Sequence, residues 1–243
     1  MSDVDHATGA TLSDNPASAI FESEWRTYRK MVDNNYLFHR EAYACLREIV
    51  TRELARPFRF LDIACGDAFA TVGALIGSAI THYCGIDLSS DALAIAAQNL
   101  ARLDCVVELQ RGDFEELLAC WQGSVDVAWV GLSLHHLDTT RKLAAMRGIR
   151  QIVGDHGFFL AYENASPDGE DRAGWLRRND DQARDWTAHS DDERRTMMGH
   201  VHAHDFPETS AGWHSLGRGA GFRDVKEVFI APSDLYRMYL FRP

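Results

Sequence analysis

Phe60-Leu61-Asp62-Ile63-Ala64-Cys65-Gly66-Asp67-Ala68 reads as a buried strand that ends at a tight turn, with a carboxylate on either side of a glycine. A second apolar run, Tyr83-Cys84-Gly85-Ile86-Asp87-Leu88, again ends in an acid. Between them lies enough chain for one helix. Two parallel strands joined by a helix form the first unit of a nucleotide-binding sheet, and there the turn after the first strand normally carries several glycines for a pyrophosphate. Here those glycines are missing.

Outward from this unit the rhythm is strand, turn, helix, repeated. Strands are expected over 58–64, 81–87, 105–110, 125–132 and 158–163. The fourth, Val125–Leu132, is apolar throughout except for Asp126, as a central strand covered on both faces must be. Ser89 or Ser90 caps the helix after the second strand. Upstream, Ile20, Phe21, Trp25, Tyr28 and Val32 recur at helical spacing, and a second helix spans about 38–54. Residues 1–19 form a Ser/Asp/Ala-rich tail. Downstream, 164–208 is charged and too long for a simple loop. Ser190-Asp191-Asp192-Glu193 opens a helix there with a capping box. We expect a helical lid, with Trp175, Trp186, Met197 and Met198 on its underside. A helix stopping at Gly221 and strands over 222–229 and 235–241 complete the chain. Only five residues separate this last pair, too few for a parallel crossover, so it is antiparallel.

Composition narrows the function classes. Lys plus Arg is 25 against 36 Asp plus Glu, a formal charge of −11. Such a field repels a phosphate backbone, which argues against nucleic acid. No apolar run reaches the length of a membrane helix. Five cysteines form no C-x-x-C pair and read as reduced thiols of a cytoplasmic protein, monomer or homodimer.

The fold expected is α/β: a Rossmann-like, seven-stranded, mostly parallel sheet with an antiparallel last strand, helices on both faces, N-terminal helices and a lid insertion. With Asp62-x-x-Cys65-Gly66-Asp67, Gly85-Ile86-Asp87-Leu88-Ser89, Gly112-Asp113-Phe114 and Leu134-His135-His136-Leu137-Asp138 in this order, the chain resembles the class I S-adenosylmethionine-dependent methyltransferases. The resemblance implies 20–57 as a helical cap, 58–163 as the cofactor-binding core, 164–208 as the lid and 209–243 as the rest of the core.

It also implies roles. A sulfonium cofactor has an ammonium and no phosphate, which suits two acids around Gly66. Asp62 and Asp67 would hold the ammonium, and Ala64 and Gly66 would lie against the methionine part. Asp87 would accept from the ribose hydroxyls, with Leu88 against adenine. Asp113 would accept from the adenine amino group, with Phe114 beside the ring. Leu132 and Ser133 would lie beside the transferred methyl. Asp87 and Asp113 can also simply cap their helices. The resembling family usually places glycine where Ala68 stands; alanine is tolerable if its φ is negative.

The reaction implied is methyl transfer to an oxygen or nitrogen of a small-molecule acceptor. Nucleobase and protein N-methylating relatives often carry Asn/Asp-Pro-Pro-Tyr after the fourth strand, whereas this chain has Gly131-Leu132-Ser133-Leu134. His135 and His136 are candidate bases. Tyr28, Tyr36, His39, Tyr162, Glu163 and His200 are candidate substrate contacts. His200 and His204 share a helical face, but no third ligand follows at metal spacing, so no metal is expected. A nicotinamide dehydrogenase would need G-x-G-x-x-G where Cys65–Ala70 stands. A regulatory module without activity would have lost a cofactor acid, and an enzyme using the same cofactor for other chemistry remains an alternative.

Overall fold

The computed structural model describes residues 27–243. The expected helix contacts of Ile20, Phe21 and Trp25, and the tail, lie outside the described residues. The chain continues as α1 (27–33), α2 (His39–Glu53), β1 (Phe58–Ile63), α3 (Phe69–Leu75), β2 (Ile80–Asp87), α4 (Ser90–Leu100), β3 (Val106–Arg111), α5 (Phe114–Ala119), β4 (Val127–Gly131), a 3-10 turn (Leu134–His136), α6 (Thr139–Val153) and β5 (Phe158–Ser166). Then come α7 (Arg172–Ala183), α8 (Asp191–His204), β6 (Glu208–Thr209), α9 (Ser210–Gly219), β7 (Asp224–Ile230) and β8 (Tyr236–Arg242).

The sheet order is β3-β2-β1-β4-β5-β8-β7, with the short β6 pairing beside the end of β5. The pairs among β1 to β5 are parallel, while β8 runs antiparallel to both β5 and β7. The expected antiparallel ending is therefore present. β6 was not expected: β5 continues three residues past Glu163, and Ala165 and Ser166 pair with Glu208 and Thr209.

The apolar run of β4 explains its place at the centre. Val127 and Trp129 face one core, with Phe60, Tyr83 and helices α2 and α3. Ala128 and Val130 face the other, with α6 and α9. Alternate side chains thus enter opposite layers, as strand geometry requires. Val125 and Asp126 fall just before β4. Asp126 accepts from Arg59 N at 2.9 Å and pairs with Arg56 at 2.7 Å, so it orders the entry of the strand.

Helix ends follow the local chemistry. Ser89 accepts from Ala92 N to start α4, and the Ser190–Glu193 capping box starts α8. At the end of α9, Gly221 has φ +97, while Phe222 N bonds Gly217 O and Gly221 N bonds Arg218 O. This is a glycine-terminated helix end with its carbonyls satisfied.

Residues 172–183 and 191–204 are helical, joined by turns over 184–190. Their apolar side chains are not all on one underside. Trp175 enters the main core beside the sheet. Trp186, Met197 and Met198 instead pack with Met31, Tyr36 and Leu37.

Candidate active site

At the C-terminal ends of β1, β2 and β4 lies a cavity of about 300 Å³. Its floor is the turn Ala64–Ala68 with Asp87, Gly131, Leu132 and Ser133, and its other side is Tyr28, Arg29, Val32, His39 and Tyr43 from α1 and α2. Such a crevice, beyond the carboxyl ends of parallel strands, is where doubly wound sheets bind ligands.

The turn is held in an unusual conformation. Ala64, Gly66 and Ala68 have φ of 55, 54 and 54. Only glycine adopts that region without a steric cost. Ala68 does not meet the condition of a negative φ: it starts α3 left-handed, with no side-chain cap. A Cβ built on Gly66 would meet nothing within 4 Å. The space left by the missing side chain is cavity, open to a ligand approaching the backbone.

Asp87 locks the turn to the second strand. Its Oδ2 accepts from Gly66 N at 2.8 Å and its Oδ1 from Ser89 N at 2.8 Å. Each carboxylate oxygen has a second lone pair, so capacity remains for hydroxyl donors from a ligand. Asp67 Oδ1 accepts from Phe69 N, and Arg29 Nη1 stands 3.7 Å from Asp67 Oδ2. Burial raises the Asp67 carboxyl, against the lowering effect of the Phe69 amide and Arg29.

Asp62 is placed differently from Asp67. It is buried behind the turn and does not line the cavity. Tyr83 Oη donates to its Oδ2 at 2.6 Å. Burial pushes the Asp62 carboxyl up to about 7, with the hydrogen bonds from Tyr83 and Thr71 pulling the other way.

Of the residues expected at the cofactor, Ala64, Gly66, Asp67, Asp87, Leu132 and Ser133 share the cavity wall. Leu88 is 65% exposed and lies outside it. Asp113 accepts from Glu115 N as the cap of α5, and Phe114 packs against the α6 side of the core. Residues not anticipated here include Arg29, Tyr43, Phe69 and Thr71. Tyr43 had a sequence signal, but its helical spacing matched packing equally well. Arg29 had none.

Among the candidate substrate contacts, Tyr28 and His39 meet at the cavity, with Tyr28 Oη 3.4 Å from His39 Nε2. Burial lowers the His39 imidazole to about 4. Tyr36 is elsewhere: it stacks on Trp186, and its hydroxyl accepts from Ala188 N at 2.9 Å. Tyr162 and Glu163 are completely buried and do not line the cavity. Tyr162 Oη donates to Leu37 O at 2.8 Å. Glu163 accepts from Ser133 N, Leu134 N and His135 N, and bonds His135 Nδ1 at 2.8 Å. It builds the loop after β4 and does not face the cavity. His135 is buried with it, so neither His135 nor the partly exposed His136 lines the cavity wall. His200 stands over His136, ring centroids 5.4 Å apart.

The comparisons with known proteins fit this geometry. Residues 60–157 match the family model described as a methyltransferase domain. No curated protein matches the chain. The solved complex of DhpI with SAH superposes with a TM-score of 0.58 at 14% identity, over 90% of this chain and 94% of that one. A protein of Bordetella parapertussis described as a possible exported protein gives 0.63 at 17% identity, over 84% and 67%. The pyocyanin biosynthetic protein PhzM gives 0.56 at 18%, over 82% of this chain and 54% of that one. At these identities the structural likeness is one of fold. Among the described residues no helix is long and apolar enough to cross a membrane.

Proposed function

We propose that the chain, whose residues 60–157 match a methyltransferase domain, is a class I S-adenosylmethionine-dependent methyltransferase with S-adenosylmethionine as its cofactor, and that its acceptor is a small molecule methylated on oxygen or nitrogen. The observation that carries the proposal is the cavity itself. It is bounded by strand ends on one side and by Tyr28, His39 and Tyr43 on the other, at about 300 Å³. With the cofactor against the strand ends, the aromatic side formed by Tyr28, His39 and Tyr43 suits a small, partly apolar acceptor. The formal charge of −11 disfavours a nucleic acid.

The residues divide the work. When bound, the cofactor supplies a methyl carbon already activated by its sulfonium. Asp67 and, from behind the turn, Asp62 would favour its ammonium; Asp87 would accept from its ribose hydroxyls. The open space at Gly66 admits the methionine part against the backbone. Leu132 and Ser133, held by Tyr162 O and Glu163, would shape the wall beside the methyl. Positioning and exclusion of water supply most of the acceleration in such a displacement.

His39 is neutral at pH 7 with its imidazole at about 4. A base that weak removes a proton poorly. It would orient the acceptor by a hydrogen bond, shared with Tyr28. This favours an acceptor atom that already carries a lone pair at working pH, such as a carboxylate or an unprotonated amine. All five cysteines are free, in keeping with a reducing compartment.

The test is a product screen. The purified chain is incubated with methyl-labelled S-adenosylmethionine and, separately, with small carboxylates, phenols and amines, total RNA and mixed protein. Label transfer to a small molecule, with S-adenosylhomocysteine formed in equal amount, is the expected result. Transfer confined to RNA or protein would overturn the reading.

A further inference from the structure

We propose that His135, His136 and Asp205 form a binding site for a divalent transition ion of the zinc class, which ties the end of α8 to the loop after β4. The three side chains come from distant parts of the sequence. His135 and His136 lie in the 3-10 turn, and Asp205 is the residue that ends α8. One candidate ligand atom from each lies within 4.8 Å of the other two. His136 Nδ1 is 3.4 Å from Asp205 Oδ1, and His135 Nε2 is 3.8 Å from Asp205 Oδ2. Metal bonds of about 2.1 Å put tetrahedral neighbours roughly 3.4 Å apart, so only small side-chain movements are needed.

Burial supplies a second argument. Asp205 is 4% exposed, yet its Oδ1 accepts no hydrogen bond. Glu163, fully buried, lies on the far side of His135. Among the described residues the ion-pair partners of these two carboxylates are His135 and His136 alone, with no lysine or arginine. Two buried acids gathered around imidazoles form a site whose charge a divalent cation balances.

The surrounding shell is also that of a metal centre. Glu163 Oε2 bonds His135 Nδ1 at 2.8 Å, which leaves Nε2 as the ring nitrogen facing Asp205. Metal-bound histidines are commonly oriented by such a carboxylate on the other nitrogen. Asn164 Nδ2 donates to Asp205 Oδ2 at 2.9 Å and fixes the third ligand. Two imidazoles and a carboxylate suit zinc, cobalt or iron(II) and leave one coordination position open. His200, exposed and edge-on to His136, lies on the solvent side. The sequence hid this site because the helical spacing of His200 and His204 drew attention to the wrong pair.

Cobalt(II) is the probe. The full chain is stripped with a chelator and titrated with cobalt chloride while visible ligand-field absorption and bound metal are measured. We expect one saturating equivalent with the intense bands of a four-coordinate site, displaced by zinc. His136→Gln, at a partly exposed position that leaves the fold intact, should weaken binding at least tenfold, as should Asp205→Asn. Glu163→Gln should weaken it about 10-fold to 100-fold through His135. The double variant H200Q/H204Q should bind as the parent does. Absence of saturable binding overturns the proposal. So does binding that survives His136→Gln, or that is lost in H200Q/H204Q, which would mark an adventitious surface pair.

Discussion

The Tyr83 hydroxyl on β2 donates to Asp62 Oδ2 on β1 at 2.6 Å, deep behind the turn that opens the cavity. The bond joins two neighbouring strands and fixes a carboxyl that burial raises to about 7. The folded value lies above the unfolded one of 3.8, so protonation favours the fold. Its contribution is fully present below pH 3.8 and is lost as pH rises through 7. Asp62→Asn removes that titration. At pH 8 the variant should be more stable than the parent, by up to about 4 kcal/mol, and near pH 4 the difference should vanish. Denaturant unfolding at the two pH values checks this. The same variant should bind S-adenosylmethionine more weakly by tenfold or more, because the carboxylate behind the turn is gone. Equal affinity would remove Asp62 from the ammonium site.

Ala68 and Gly66 share a left-handed φ but differ in what a side chain costs them. Ala68 is buried and carries its methyl in a conformation that suits glycine. Ala68→Gly should therefore stabilise the fold or leave it unchanged, the relief of roughly 1 kcal/mol being partly offset by unfolded-state entropy. Gly66→Ala should do the reverse, costing about 1 kcal/mol and placing a methyl in the cavity. Paired unfolding curves measure the first effect, and cofactor titration of Gly66→Ala measures the second.

His39 sets an acid limit. Burial lowers its imidazole from 6.5 to about 4, so the fold prefers it neutral. Above pH 6.5 the folded and unfolded chains agree and nothing is lost. Below it the unfolded chain takes up a proton that the folded one refuses. Stability should fall between pH 6.5 and 4, by about 3 kcal/mol from this group. In His39→Gln the pH dependence of the unfolding free energy over this window should flatten by that amount.

How much of this the sequence disclosed depended on whether the signal was local. β1 and β4 follow from apolar runs, and α4 from the Ser89 cap at its start. Asp87 and Gly66 were legible as cavity-lining residues because a strand end and the turn beside it open onto the same crevice. Glu163 was not. An acid at a strand end looks the same whether it faces a crevice or turns inward to gather three amides from a loop thirty residues earlier in the chain. Ala68 misled for a related reason: its φ is imposed by the turn, through Gly66 and Asp87, and its own side chain gives no hint. Asp205 meets His135 only because β5, α7 and α8 return the chain to the β4 loop, a tertiary fact that no spacing carries.

Asp87 offers the sharpest separation of binding from folding. Its two oxygens take the amides of Gly66 and Ser89, so it holds the turn after β1 and the start of α4 together. Asp87→Ala frees both amides at a half-buried site, which should cost about 1–3 kcal/mol. Asp87→Asn keeps one acceptor oxygen and turns the other position into a donor that opposes an amide N–H, so it should cost nearly as much. Loss of cofactor affinity in either variant would thus be ambiguous by itself. Asp87→Glu resolves it: the longer carboxylate keeps the charge but moves it by a methylene. Titration of the folded variants with S-adenosylhomocysteine should rank the parent above Glu, and Glu above Asn and Ala, with a total fall of at least a hundredfold. A control with adenine should show much less dependence on the substitution, because it has no ribose hydroxyls to donate. If adenine and S-adenosylhomocysteine lost affinity in parallel, Asp87 would act through the shape of the turn alone, and its ribose contact would be excluded.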